Sequence, residues 1–522
     1  MSDNPPVAVT VLQVLICTVL LSPILAYRMG VDQGIFAYIA ERLLDGQLPY
    51  RDTWDHAFPG VMLIHAAELI LFGKSIYLFR VFDLLWQLAS AGFVFRITTR
   101  LAGWPAALLA ACLYCLIYQG YGPWNTGQRE GFAMLPVLWG FWLYLTAGDR
   151  NRLRVFAGIG FGLGLAILIK PTMLALAGLY VPLLVRVRRA DLPGLLLAFG
   201  LLLLPTLLTT AFYAYQGALR DLYEACIRYQ SEAYIHINRG TAPLPEYWWS
   251  KAGRLGGTTL GLMFGFPPFV LLARLRQSYL MLYLGFLGSV YAVFVQGTFA
   301  GYHYLPGLAI GAILIGVVFA ELSARVPGDL RIRFGKATLR LDALLAVMLI
   351  AALVPHYIHK EAVQNLLSLR FLGTPFPNEY RNQTVFDFTE SWNTAAYLRE
   401  HTQPNERIQV WGHESLVYYL AERASVSRFQ TSNPLVVHAP GHALSKLQQR
   451  WRAEFMRNMR EAPPVYIAIV HDDHWWWSPG EQSSWQVLDE FPEWKQFILG
   501  NYSSETRIGR FEVFRHGSQS SL

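Results

Sequence analysis

Long apolar runs separated by short basic loops leave this chain few ways to fold. Runs long enough to span a bilayer, or nearly so, lie at about 7–27, 76–95, 103–119, 131–147, 155–169, 171–185, 192–215, 255–273, 278–296, 304–322 and 341–357. In hydrocarbon every backbone N–H and C=O must find its partner within the protein, so each such run is a helix. Charged residues make up 15% of the 522, against the roughly 25% usual in soluble proteins, which excludes a single soluble domain. Three of the four cysteines (Cys17, Cys112 and Cys115, but not Cys226) fall in apolar runs, so no disulfide framework is expected.

Topology follows from the arginines. One further run, 57–73, is short for a span and holds His65 and Glu68. If it stays at the surface, Arg96 and Arg100, Arg150 to Arg154, Arg186 to Arg189, Arg274 and Arg276, and the Arg325–Arg340 loop all fall on the N-terminal side. If it crosses, they all face outward, against the positive-inside rule. The expectation is therefore about eleven spans plus interfacial helices, with the N-terminus cytoplasmic and the C-terminus outside. The basic residues are thus explained by topology, and no nucleic-acid partner is expected.

The division expected is a transmembrane domain over 1–357, carrying an outer loop at 28–75, followed by an extracytoplasmic α/β domain over 358–522. In the latter, TAAYLREHT reads as an amphipathic helix ending near Pro404, RIQVWG as a strand and SLVYYLAER as a helix. PPVYIAIV has the continuous apolar character of a buried parallel strand, and the alternating RIGRFEVFRH reads as an edge strand.

Chemistry is concentrated on the outer face. The segment Gly30–Gly60 holds five acidic residues, two arginines and a histidine directly after the first span, where ionised groups cost too much to sit in lipid. Asp32 opens an amphipathic stretch there and suits either a general base or a helix N-terminal role. The loop GQLPYRDTWDHAFPG supplies Arg51, Asp52, Asp55 and His56 between turn-forming prolines; His56 with nearby acids suggests a metal, and Arg51 suits a plain ion pair equally well. Glu130 begins a span beside Arg129, where the helix dipole alone would favour a carboxylate. Lys170-Pro171 interrupts more than thirty apolar residues, so the ammonium either snorkels to water or meets an anion such as phosphate. His303, between Tyr302 and Tyr304, fits an aromatic belt or that same anion pocket. His471–Trp477 (HDDHWWW) follows the apolar strand and reads as a headgroup-dipping loop or a metal site.

Taken together, these positions resemble the GT-C glycosyltransferases, in particular bacterial relatives of protein O-mannosyltransferases and of the lipid A aminoarabinose transferases. Asp32 stands where the family's acidic motif follows the first helix, and GQLPYRDTWDHAFPG resembles its G-x-x-P-Y-x-D … H-K-P-P-G segment. ILFGKSIYLFRVFD resembles the following run, with Arg80 as its arginine. Glu130, Lys170-Pro171 and YHYLP fall where relatives carry a second acid, a Lys-Gly/Pro turn and a late R/H-Y-x-L-P turn. The resemblance implies a polyprenyl-phosphate sugar donor, a lipid, glycan or protein hydroxyl as acceptor, and a bacterial inner-membrane location with the C-terminal domain periplasmic. By it, Asp32 is the base, Glu130 orients the acceptor or a divalent cation, and Lys170, Arg51, Arg129 and His303 hold the donor phosphate. The sequence departs at His56-Ala57-Phe58-Pro59, where the family's lysine is Ala57, and at Gln33, where many relatives carry a second acid. The rival classes are a lipid-linked glycan flippase, which would show paired half-repeats and mid-bilayer charges, and a glycan polymerase or ligase.

Overall fold

The computed structural model describes residues 5–147, 152–184, 188–235, 237, 246, 276–325, 331–334, 337–340, 386–438, 442–475 and 482–517. The expected spans at 255–273 and 341–357, and the expected boundary at 357/358, lie outside them. Two compact units emerge: Met1–Tyr27 with Tyr77–Leu208 and Pro245–Pro375, and Arg28–Ile76 with Thr209–Leu244 and Phe376–Leu522.

The first unit is helical. Its elements are α1 (Val7–Leu21), α4 (Ile76–Ala102), α5 (Trp104–Gly120), α6 (Arg129–Thr146), α7 (Arg152–Ile169), α8 (Leu192–Tyr215) as far as Leu208, α9 (Gln277–Gln296) and α10 (Leu305–Ser323). Among the described residues, six helical segments are long and apolar enough to cross a membrane. The run GIGFGLG in α7 explains how three helices meet there. A Cβ at Gly140 would stand 3.1 Å from the Gly158 carbonyl, and one at Gly164 would stand 2.6 Å from the Leu202 carbonyl. Small residues thus let α6 and α8 approach α7 on two faces, which is how helices associate in lipid without a hydrophobic driving force. Pro171 ends α7: the residue before a proline avoids the helical region, and Lys170 is extended at φ −154°, ψ 115°. The chain continues as a 3-10 segment over Pro171–Tyr180, packed on α9. A short hairpin, β1 (Arg331–Phe334) with β2 (Ala337–Arg340), lies after α10.

The second unit is mixed. It holds α2 (Val31–Leu44), α3 (Gly60–Phe72) and an α/β region with a four-stranded sheet. At 13 residues, α3 is about 20 Å long by its rise, short of the ~30 Å hydrocarbon core. The α/β region contains α11 (Phe388–Glu400), β3 (Ile408–Trp411), α12 (Leu416–Ala421), α13 (Lys446–Glu461), β4 (Tyr466–Val470), α14 (Pro492–Asn501), β5 (Tyr502–Ile508) and β6 (Phe511–His516). Its sheet runs β3-β4-β6-β5, with β3 and β4 parallel and both fully buried. The alternation in RIGRFEVFRH suggested an edge strand; instead β6 lies between β4 and β5, and the edges are β5 and β3. Phe511 and Val513 are buried on one face and Phe514 on the other before the tail of the strand emerges, and side-chain alternation does not report which strands pair with its backbone.

One buried acid gives this region a pH signature. Glu414 follows β3, accepts from Ser391 Oγ (3.1 Å), and leaves Oε1 without a hydrogen bond. Burial pushes its carboxyl up to about 8, although the Arg510 guanidinium and Ser391 favour the ionised form. The folded state therefore keeps a proton that the unfolded chain releases near 4.5. Its stabilising contribution is complete below that pH and is lost as pH rises toward 8, by up to roughly 1.4 kcal/mol per unit. Glu414→Gln is expected to flatten the fall in Tm between pH 5 and 8; an unchanged slope would place the proton elsewhere.

Candidate active site

Two clusters, one in each unit, collect the chemistry. In the first unit, Gln128 precedes α6 in an extended conformation, so Arg129 and Glu130 occupy its first turn. Glu130 is fully buried, where the N-terminal dipole favours its charge. Lys170 reaches it from the C-terminal end of α7, and the two form an ion pair. The Lys170 N–H closes the helix on Ala166 O (2.9 Å). His303 adds its Nε2 at 3.6 Å from the same Glu130 oxygen, with Thr298 Oγ1 at 3.2 Å from Nδ1. Tyr302 places its ring face 5.8 Å from the Lys170 ammonium, and its N–H donates to Asn125 Oδ1 (3.2 Å). Arg129 and Lys170 both act electrostatically on His303. The result is a buried site with two cations, one imidazole and one carboxylate, whose Glu130 Oε2 makes no hydrogen bond. Such a site suits an anionic group bearing a hydroxyl or an ester oxygen.

Arg80, expected beside this loop as a site residue, is instead a buried clamp. Its guanidinium donates to Pro123 O (2.8 Å), Thr126 Oγ1 (3.1 Å), Thr126 O (3.3 Å) and Tyr27 O (3.4 Å). Asp83 lies 3.8 Å away and accepts from Tyr118 OH (2.7 Å) and Gln87 Nε2 (3.1 Å). Tyr118 OH in turn accepts from the N–H of Gly127 (2.7 Å), whose φ of +65° favours glycine. These bonds fix the loop that delivers Glu130.

In the second unit, Gly30 caps α2, so Asp32 sits in its first turn. Gln33, at the position of the family's second acid, folds back to accept from the Gly30 N–H (2.5 Å). The loop 47–59 is built by its own acids: Asp52 accepts from Leu48 N (2.7 Å), and Asp55 accepts from Ala57 N (2.6 Å). Arg51 is bidentate on Asp52 (2.8 and 3.0 Å) and largely solvent-facing, so its charge serves the loop itself. His56 packs between Tyr234 and Tyr229, at 4.7 and 6.1 Å between rings. Trp54 N donates to Arg428 O (2.8 Å) and Gln430 Oε1 (3.0 Å). Arg428 returns a bond to Tyr50 O (2.7 Å) and pairs with Asp221 and Glu454. Asp32, Asp55 and His56 share an electrostatic neighbour, His413, which follows β3. Nothing in the expectations pointed to His413; its one signal is its place at the carboxyl end of a parallel strand, where ligands of α/β sheets gather.

The HDDHWWW motif does not converge. His471 Nε2 meets Glu512 (2.9 Å) and stacks on Trp485, Asp473 accepts from Ser484 N and Oγ (both 2.6 Å), and His474 is exposed. Among the described residues no three His, Cys, Asp or Glu side chains could hold a metal ion together. The Glu130–His303 pair faces the Lys170 ammonium, so this donor set does not fit a divalent cation.

Residues 55–211 match the family described as dolichyl-phosphate-mannose-protein mannosyltransferase. In structure the chain is similar to ArnT from Cupriavidus metallidurans bound to undecaprenyl phosphate, at 15% identity and a TM-score of 0.60 over 98% of each chain. It is likewise similar to ArnT from the same organism in the apo state, at 15% identity and a TM-score of 0.58 over 97% of each chain. No curated protein matches. The likeness establishes the GT-C fold of a membrane protein with several apolar helices and a C-terminal α/β region.

Proposed function

We propose that this protein is a membrane glycosyltransferase that moves a sugar from a polyprenyl-phosphate donor to a hydroxyl of a lipid, glycan or protein on the extracytoplasmic face. The observation that carries the reading is the buried Lys170–Glu130–His303 cluster, whose first two members fall inside the segment that matches the mannosyltransferase family. A protein of this fold holds undecaprenyl phosphate, which supports a lipid phosphate as the leaving group.

In this reading Asp32 accepts the acceptor's hydroxyl proton as its oxygen attacks the anomeric carbon. The bond from that carbon to the phosphate oxygen breaks, the configuration inverts, and polyprenyl phosphate departs. Lys170, Arg129 and His303 stabilise the charge that grows on the phosphate, in a site where water is excluded and such groups act strongly. Glu130 pairs with Lys170 and holds it in place before the donor arrives, and its second oxygen is open to a sugar hydroxyl.

The test is transfer in proteoliposomes from a panel of radiolabelled polyprenyl-phosphate sugars. Wild-type protein is expected to consume one donor; consumption of none by folded protein would overturn the reading. Lys170→Met is expected to raise the donor KM about tenfold to a hundredfold, the worth of a charged hydrogen bond, while the acceptor KM stays put. Since removing one partner of a buried pair is itself destabilising, the Lys170→Met/Glu130→Gln double variant is the control. It should recover stability without recovering donor use.

A further inference from the structure

We infer that His413 is a positioning residue for the Asp32 carboxylate, supplied by the loop that leaves strand β3 of the α/β region. The inference rests on the reading of Asp32 as the base. Its geometry comes from the way α2 and α12 pack. Gly34, one turn from Asp32's end of α2, lies so close to α12 that a Cβ there would stand 2.7 Å from Leu416 Cβ and 3.0 Å from its Cα. Tyr38 of α2 meets Tyr418 of α12 at 5.2 Å between rings, and its hydroxyl accepts from Ser425 N (2.9 Å). The two helices are thereby tied at two points, and the Ser425 bond adds a third just past the end of α12. Asp32, in the first turn of α2, and His413, three residues before α12, are held at the same end of the contact.

The imidazole is itself prepared. Asn433 Nδ2 donates to His413 Nδ1 (2.8 Å), an assignment that leaves the ring proton on Nε2. Trp475 covers one edge of the ring at 5.1 Å, at right angles. The titratable groups that act on it are Asp32 from α2 and Asp55 and His56 from the loop 47–59. Burial pushes the imidazole down to about 4, against the two carboxylates and with His56, so it stands neutral across the physiological range. A neutral ring with its proton on Nε2 does not compete for the acceptor's proton. It presents one directed N–H to a carboxylate neighbour, and so fixes which oxygen remains open to the substrate.

The experiment uses full-length protein in proteoliposomes with the donor found active above, and histidine-selective nitrogen NMR in nanodiscs, with the His413→Gln spectrum assigning the signal. His413→Ala is expected to lower kcat about tenfold to a hundredfold at unchanged donor KM, as misplacement of a reacting group does. His413→Gln, whose amide can supply the N–H, should recover most of the loss. In wild type the His413 signal should stay that of a neutral, Nε2-protonated ring from pH 5.5 to 8, and should move in Asp32→Asn. Wild-type kcat in His413→Ala, where Asp32→Asn is inactive, overturns the inference and leaves the base reading standing. Equal losses in His413→Ala and His413→Gln overturn it as well. If Asp32→Asn stays active, the base reading falls first, and the response of the His413 signal to Asp32→Asn alone decides whether His413 addresses that carboxylate.

Discussion

Asp32→Asn lowers the rate of sugar transfer by about a hundredfold to ten-thousandfold, the range that a positioned general base supplies. The substitution is nearly isosteric, and its surroundings explain why it should be silent in every other respect. The N-terminus of α2 is held by Gln33, whose side chain accepts from the Gly30 N–H, and that bond is untouched by the substitution. Asparagine still offers a carbonyl oxygen to neighbouring N–H groups. It lacks the charge, the second acceptor oxygen and the capacity to take a proton. Donor binding, measured as undecaprenyl phosphate quenching of tryptophan fluorescence, should match wild type, and Tm in detergent should shift little. Turnover within twofold of wild type would remove Asp32 from the chemistry, and the acid would then be an ordinary first-turn carboxylate.

Much of this was legible in the sequence, for identifiable reasons. Spans declare themselves because lipid tolerates only continuous apolar helices, and α7, α9 and α10 follow their runs closely. Lys170-Pro171 stands out because the residue before a proline is biased away from the helical region, and here that residue is a lysine interrupting an apolar run. Glu130 and His303 were nameable as ionisable groups in apolar stretches, where charge is expensive without a purpose. Pairing is what a single chain conceals. Nothing in ILFGKSIYLFRVFD says that the Arg80 guanidinium reaches the carbonyls of Pro123 and Thr126, more than forty positions on. Nor does GQLPYRDTWDHAFPG say that Trp54 bonds to Gln430, 376 positions away. His413 went unread for a related reason. Its role depends on the neighbour of its strand and on the helix after it, and neither has a local signature. The misjudged β6 shows the limit of periodicity: alternation reports one covered face and carries no information about what pairs with either edge.

The second large effect lies away from the reacting groups. Arg80→Met is expected to cost about 3–5 kcal/mol of stability, as loss of one partner from a buried ionic network does. Arg80 is fully buried and answers three backbone carbonyls besides Thr126 Oγ1. Without it, those carbonyls lose their donor and Asp83 keeps a buried carboxylate beside Tyr118 and Gln87 with no cation near. Lysine should not rescue, since one ammonium cannot serve the divergent acceptors that the guanidinium fork reaches. Neutralising the acid as well, in Arg80→Met/Asp83→Asn, should return part of the stability, because the orphaned charge is gone. It should not return donor use. The loop from Tyr121 to Gln128 would still lack its anchor, and that loop sets where α6 begins and hence where Glu130 meets Lys170. Reversible unfolding in bicelles and the donor KM, measured on the same three proteins, separate the two effects. Stability of Arg80→Met within about 1 kcal/mol of wild type would mean that the loop is held by Tyr118 and Gly127 alone. Recovery of both quantities in the double variant would make Arg80 a counter-ion for Asp83 and nothing more.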